Sequence, residues 1–553
     1  MKILELQKIY LFVHTTDDKI IARMKTFENV FENSEVYSNN LKAYSRMFYK
    51  SKKVAGNNMY YYLATINDQQ DYDLSSMKFN STLSLTDDFD TLLSYCFVKG
   101  NQFVAGSDYL AILNHFFYNN NDTFICSNNA FLIAKLVNAN LSEKALFETL
   151  FFRFPKGQNT FFAEIKCLRP NQQISFSDKD RVVLSSYSNY YDILYKETHD
   201  IFKDIDIYFG KVKKSISKNS YLSFSGGSDS MTILSILLHK KFDFQLASFS
   251  GHDDWDTVRI QDLAKKNGLP MKFINTNDNE NEHEKLRYVF ITNGFSPASH
   301  FQTFYQNLLV GSTIFDGYSF ILGDYSDAFL FPPFSDVLKG KNLNVIFQNY
   351  YLGIDNTFLL RMKDYLISNY SHEFVFANST DGLKCVQNHS VDFIPSRVLS
   401  GVLGCSDINS HYNYSFFLSR KFMTYVHFNN YGISKTFVAR NDYLGDIVKL
   451  PLAKIVKKMN QKIYNSKMDH GFSFKDINES PKFIKLKMKL NILEKKKYYL
   501  FRRKHIEKPA IQKESQMELS FDFLKKEELL NFYARQSLGV IQNVKNVYDK
   551  LDI

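Results

Sequence analysis

The chain has 553 residues, 44% of them hydrophobic, 23% charged and 16% aromatic, with a formal net charge of +10 at pH 7. That length exceeds what one ordinary core fills and predicts two or more domains, while the composition is that of a soluble, globular rather than a disordered protein. No apolar run reaches the roughly 20 residues needed to cross a bilayer, so no transmembrane segment is expected.

Five cysteines (Cys96, Cys126, Cys167, Cys385 and Cys405) are scattered and never form a C-x-x-C pair. This argues against a disulfide framework and a thiolate zinc site, and fits a reducing cytoplasm. The charge is concentrated: residues 451–515 hold 18 Lys/Arg against 6 Asp/Glu, which leaves the rest close to neutral. Two readings of that segment stay open. It is a solvated helical surface, or a basic face toward phosphates, a nucleic acid, an anionic lipid surface or an acidic partner.

In chain order, "MKILELQKIYLFVH" reads as a first strand directly after Met1. Glu5, Gln7 and Lys8 interrupt it and no small-residue cleavage site follows, so a strand rather than a signal peptide is expected. Up to about residue 190, short alternating segments such as "NMYYYLATIN" and "DTFICSN" between Asn/Asp/Gly turns predict strand-rich hairpins. "LSEKALFETLFFRF" (141–154) predicts a helix capped by Ser142. From about residue 200 strands and helices alternate: "NSYLSF", "SMTILSILLHKK", "DFQLASFSG", "DTVRIQDLAKKNGL" stopped by Gly268, and "MKFINT". Such alternation predicts a parallel sheet with crossover helices. Residues 340–550 read mostly as helix, and the change of texture places a domain boundary near 195–205.

The chemistry concentrates in "LSFSGGSDS" (Leu222–Ser230), where a strand runs into a helix through Gly226 and Gly227. The first amides of a helix carry partial positive charge, and glycines let the backbone approach a phosphate. Ser225, Ser228 and Ser230 add hydroxyls, whereas Asp229 repels a bare phosphate and so implies a metal, Mg²⁺, between them. Neither G-x-x-x-x-G-K-[ST] nor G-x-G-x-x-G is present, and two glycines between serines also suit a plain turn.

The pattern S-G-G-x-D-S between strand and helix resembles the pyrophosphate loop of ATP pyrophosphatases, which cleave ATP to AMP and pyrophosphate. About a hundred residues on, "SFILGDYSDAFLF" (319–331) resembles the G-E-G-A-D-E-L-F segment of asparagine synthetases, with Gly323 and Asp327 on its first Gly and its Asp. The resemblance implies ATP binding by Ser225–Ser230, Gly323 and the backbone around Ser248, Phe249 and Ser250, with Asp229 and Asp327 sharing Mg²⁺. Residues 104–136 and 141–176 resemble the glutaminase domain of the same family, down to a Pro-Gly turn that is Pro170–Asn171 here. The fold implied is an α+β sandwich, a degenerate N-terminal-nucleophile glutaminase-like domain over 1–195. An α/β parallel-sheet ATP pyrophosphatase domain with a helical, basic C-terminal part follows over 200–553.

The departures carry as much information. Lys2 stands where the family's glutaminase needs a cysteine, so the resemblance implies a domain without glutaminase activity. β-Lactam synthetases and lasso-peptide macrolactam cyclases share that loss and use an amine of their own substrate. "YNSKMDHGFSF" offers Lys467 for the family's late catalytic lysine, with two extra residues and no Arg before it. "YNYSFFLS" (412–419) lacks the charged residues of the family's acceptor segment, and Ala328 replaces a Glu. The expected activity is ATP-dependent amide-bond formation on a small-molecule or peptide carboxylate, such as a peptide cyclised to a lactam or a small amino-acid derivative. A biosynthetic partner protein is compatible with it. Amidation of a uronic-acid sugar and a non-catalytic nucleotide-binding scaffold are the alternatives. Nucleic acid as partner, as in tRNA modification, is disfavoured by the domain in front of the loop. His252 and His470 are isolated, and Asp253, Asp254 and Asp256 read as helix caps.

Overall fold

A computed structural model describes residues 9–27, 31, 33–40, 43–50, 59–66, 92–99, 102–108, 110–112, 114–177, 181–186, 200–215, 220–248, 255–273, 282–295, 319–321, 323, 342–375, 412–419, 421–422, 444–468, 471–480, 483–503, 522, 524 and 532–551. Among them the chain is a mixed α/β protein with two antiparallel sheets, one parallel sheet and a helical C-terminal part. Of the expected domain boundary near 195–205, residues 195–199 lie outside the described residues and a helix begins at Ile201.

The first elements are β1 (Ile9–Thr15), α1 (Asp18–Phe27), β2 (Asn33–Asn40), β3 (Ala43–Lys50), β4 (Met59–Ile66), β5 (Leu92–Lys99), β6 (Gln102–Gly106), β7 (Phe116–Asn119) and β8 (Thr123–Ser127). There follow α2 (Ala130–Val137), α3 (Glu143–Phe152), β9 (Lys166–Cys167), β10 (Gln172–Ser177) and β11 (Arg181–Ser186). The expected first strand is present over Ile9–Thr15, and its start at residues 1–8 lies outside the described residues. One antiparallel sheet has the order β2-β3-β1-β8-β7-β9 and the other β11-β10-β6-β5-β4. Their inner faces meet through aromatic rings: Phe12 of β1 stacks on Phe103 of β6 at 4.6 Å, and Phe124 of β8 on Phe176 of β10 at 5.0 Å. Burial of such rings supplies the apolar area that holds two sheets together. Ser142 caps α3 by accepting from the Ala145 amide, as its position implies. Asn171 takes φ +56°, the left-handed conformation that a glycine in a Pro-Gly turn supplies.

The second part opens on α4 (Ile201–Ser215), then β12 (Ser220–Ser223), α5 (Ser228–His239), β13 (Gln245–Ser248), α6 (Trp255–Lys266), β14 (Met271–Phe273), α7 (Glu282–Ile291) and β15 (Ser319–Ile321). It continues with α8 (Leu343–Tyr350), α9 (Asn356–Val375), β16 (Tyr412–Tyr414), α10 (Leu444–Met459), α11 (Gln461–Tyr464), α12 (Phe474–Glu479), α13 (Ile484–Arg503) and α14 (Phe532–Lys550). The strands form a parallel sheet of order β14-β13-β12-β15-β16. Gly268, at φ +65°, ends the turn after α6 as its position predicts.

Two buried clusters result. One fills the parallel sheet with α4–α6 and α10–α13. The other joins the antiparallel sandwich to α7, α8, α9 and α14, so late helices complete the early core. A buried carboxylate reinforces this joint. Glu148 of α3 accepts hydrogen bonds from Tyr365 Oη (2.6 Å) and Tyr370 Oη (2.5 Å) of α9, Asn159 Nδ2 (2.8 Å) and the Lys156 amide (2.7 Å). Burial and the Glu148 charge push both tyrosine hydroxyls up, which keeps them protonated donors.

His115 lies fully buried between the antiparallel sheets. Its Nε2 lies 3.0 Å from the Gly106 carbonyl and 2.5 Å from Ser94 Oγ, and its Nδ1 lies 2.5 Å from Tyr10 Oη. A carbonyl only accepts, so Nε2 carries the proton and Nδ1 accepts from Tyr10. Burial lowers the imidazole from 6.5 to about 4. The unfolded chain therefore takes up a proton below 6.5 that the folded chain refuses down to about 4, so stability is complete above pH 6.5 and falls as pH drops through that window. Urea unfolding should show a loss of about 3 kcal/mol between those limits that His115→Asn removes; an equal loss in the variant would contradict it.

Candidate functional site

Reversal of strand order in an open parallel sheet leaves a crevice at the carboxyl ends of two neighbouring strands. Here β12 and β15 are those neighbours: the chain moves from β12 outward to β13 and β14, then returns to the other side of β12 as β15. The carboxyl end of β12 carries Ser225–Ser230, and that of β15 carries Gly323. The two stretches are in contact. A Cβ on Gly323 would fall 2.9 Å from the Ser230 Cα and amide nitrogen, a separation no side chain tolerates. Glycine at 323 is thus what lets β15 leave the sheet directly against the first turn of α5.

The loop itself is ordered by its own polar groups. Gly226 takes φ +75°, and Ile260 of α6 packs against it, where a Cβ would lie 3.0 Å from the isoleucine side chain. Ser230 Oγ donates to the Gly227 carbonyl (3.2 Å), which makes Ser225 Oγ the donor to Ser230 Oγ (3.2 Å); Ser225 Oγ in turn accepts from the Gly227 amide (3.3 Å). Ser228 Oγ donates to Asp229 Oδ1 (3.0 Å). The serine hydroxyls thus shape the turn, a role the bare motif did not reveal. Gly227 occupies the N-cap of α5 and no side chain caps that helix. The amides of the first turn, Ser228 to Ser230, have no carbonyl one turn earlier within the helix, and a helix start of this kind favours an anion. Asp229 is half-buried beside them, a hard oxygen donor of the kind Mg²⁺ takes.

Ser248 ends β13, one strand over, and is buried. Phe249, Ser250 and Asp327, like His252, His470, Asp253, Asp254 and Ala328, lie outside the described residues, and so does the side chain of Asp256. Among the described residues no three His, Cys, Asp or Glu side chains form a metal-binding group. Lys467 is exposed on a tight hairpin: it bridges to Ser473, and Met468 and Phe472 close the turn through a 2.8 Å hydrogen bond from the Met468 amide.

This hairpin is tied to the loop's side of the sheet by a contact the sequence did not disclose. Gly471 sits directly against Asn491 of α13, and Asn491 Oδ1 accepts from Arg259 of α6 at 2.6 Å. Arg259 neighbours Ile260, the residue packed on Gly226. The Arg259–Asn491 pair spans 232 positions, so no local pattern announces it. The segment 414–419, by contrast, is wholly buried, and Phe416, Phe417 and Leu418 feed both cores.

No protein-family model matches the chain. No curated protein matches it. Among solved structures the chain is similar to glutamine phosphoribosylpyrophosphate amidotransferase from B. subtilis complexed with ADP and GMP, at 9% identity, 48% coverage of this chain, 60% of that chain and a TM-score of 0.18. It is similar also to a structure of the allosteric regulatory enzyme of purine biosynthesis, at 9% identity, 58% coverage of this chain, 69% of that one and a TM-score of 0.18. Superpositions of this quality carry no weight for fold or activity.

The geometry makes a direct prediction for Gly323→Ala. The added methyl meets backbone, which cannot swing aside, so chemical denaturation should show a loss of about 2 kcal/mol or more. An unchanged denaturation midpoint would contradict the close approach.

Proposed function

We propose that the chain is an ATP-dependent amide-bond-forming enzyme that adenylates a substrate carboxylate at the Ser225–Ser230 turn. The observation that carries this reading is the uncapped start of α5 at the strand-order reversal, with Gly323 pressed against its first turn. By this reading a carboxylate oxygen attacks the α-phosphorus of ATP and pyrophosphate leaves. An amine then attacks the acyl carbon, giving an amide, AMP and a proton. The first-turn amides and Gly226 hold the departing phosphates, where preorganised donors stabilise charge as it builds. Asp229, with Asp327, would hold Mg²⁺, which neutralises phosphate charge when bound. Lys467 would screen the same charge from its hairpin, and the Ser248–Ser250 backbone would meet the nucleotide's base.

On this reading the amine comes from the substrate and not from glutamine. The thiols of Cys96, Cys126 and Cys167 are buried, and burial pushes Cys126 up to about 12, which disfavours its thiolate. The resemblance to β-lactam synthetases and lasso-peptide macrolactam cyclases favours an amine belonging to the substrate, which would be a peptide cyclised to a lactam or a small amino-acid derivative. A uronic-acid sugar is the other acceptable carboxylate. A second reading, a nucleotide-binding scaffold without turnover, draws on the buried, uncharged 414–419 segment, where the family carries acceptor-side charges.

Incubation of the full chain with Mg-ATP and a panel of peptide, amino-acid and uronic carboxylates should release pyrophosphate with one of them, and Asp229→Ala should slow that release about 100-fold or more. Nucleotide binding without pyrophosphate from any carboxylate would favour the scaffold. Turnover unaffected by Asp229→Ala would remove the metal role.

A further inference from the structure

We propose that α13 seats the protein on an anionic lipid surface. The helix has two unlike faces. Its inner face is fixed: Ile484 and Met488 enter the parallel-sheet core, Asn491 bonds Arg259, and Tyr498 packs on Trp255 at 5.0 Å between ring centres. Lys487 pairs with Asp476 of α12 at 2.5 Å, which pins the helix start. The outer face carries Leu486, Leu490 and Leu493, preceded by Phe483, at the three- and four-residue steps that align side chains along one side of a helix. These four fall within about 80° of the helix circumference, turned away from the inner face.

Their exposure is 58% for Phe483, 54% for Leu486, 50% for Leu490 and 57% for Leu493. Side chains this open form a ridge. A headgroup layer receives such a ridge, which inserts to the acyl boundary. Charge selects the lipid. Exposed Lys489 and Lys496 border the stripe and Lys497 continues it, against one exposed acid, Glu494. The surrounding 451–515 segment holds 18 Lys/Arg against 6 Asp/Glu, the balance that attracts an anionic leaflet. Contact is peripheral, since no helix among the described residues is long and apolar enough to cross a membrane. The inner face keeps its partners throughout, so no helix needs to unfold.

Cosedimentation of the full chain with vesicles tests this, using phosphatidylcholine alone and phosphatidylcholine with about 30 mol% phosphatidylserine. The expected result is at least tenfold stronger partitioning onto the anionic vesicles, weakened by raised salt. The triple variant L486Q/L490Q/L493Q should lose roughly tenfold or more of it, as should K489Q/K496Q/K497Q, with thermal unfolding and Mg-ATP binding unchanged in both. Equal binding to both vesicles, no binding, or full binding by L486Q/L490Q/L493Q would overturn the proposal. So would a wild-type dimer that this variant dissociates, which would give the ridge to a second copy of the chain. Because nucleotide binding is read separately, failure here leaves the adenylation reading standing.

Discussion

The approach of Gly323 to the backbone of Ser230 is the constraint on which the candidate site depends. Two parallel strands, β12 and β15, leave the sheet side by side, and both exits must fit beside the start of one helix. Any side chain at 323 would push them apart by colliding with main chain. With glycine there, the start of α5 and the exit of β15 share one crevice, and Ile260 closes the loop from α6. The serine hydroxyls of 225 and 230 hold the turn, and on the proposed reading the helix amides are the groups that address the nucleotide. The chemistry thereby rests on backbone placement, which side-chain substitution reaches only through glycine and the packing around it.

How much of this the sequence discloses varies with the range of the interaction. The strands and helices around the loop were legible, because apolar alternation, Gly268 and Ser142 are local signals read over a few residues. The helix α4 was equally patterned, with apolar residues at 201, 205, 208, 209 and 212, but the change of texture around it masked the period. The first strand, by contrast, was legible as the apolar run Ile9–Val13. The serine ring in the loop and the Arg259–Asn491 link depend on three-dimensional closure. Neither residue type nor spacing encodes such closure in one sequence.

The antiparallel sandwich makes a second point about buried polar groups. His115, Tyr10, Ser94 and Gly106 satisfy one another in a fixed tautomer, and burial withdraws the imidazole from titration near neutral pH. The same burial raises Cys126, so polar and nucleophilic residue types here serve packing and specificity. Glu148 acts likewise at the joint with α9, where a charge that would be prohibitive alone is met by four donors. Residue types that suggest catalysis in a sequence are thus accounted for in this part by the interior that surrounds them.

The central claim is that the first turn of α5 receives phosphate. Amide hydrogen exchange of the full chain, with and without Mg-ATP, measures that turn directly. The account predicts slowed exchange at the Ser228, Asp229 and Ser230 amides on addition of nucleotide, abolished together with binding in Asp229→Ala. Nucleotide that binds while those three amides exchange as before would contradict it.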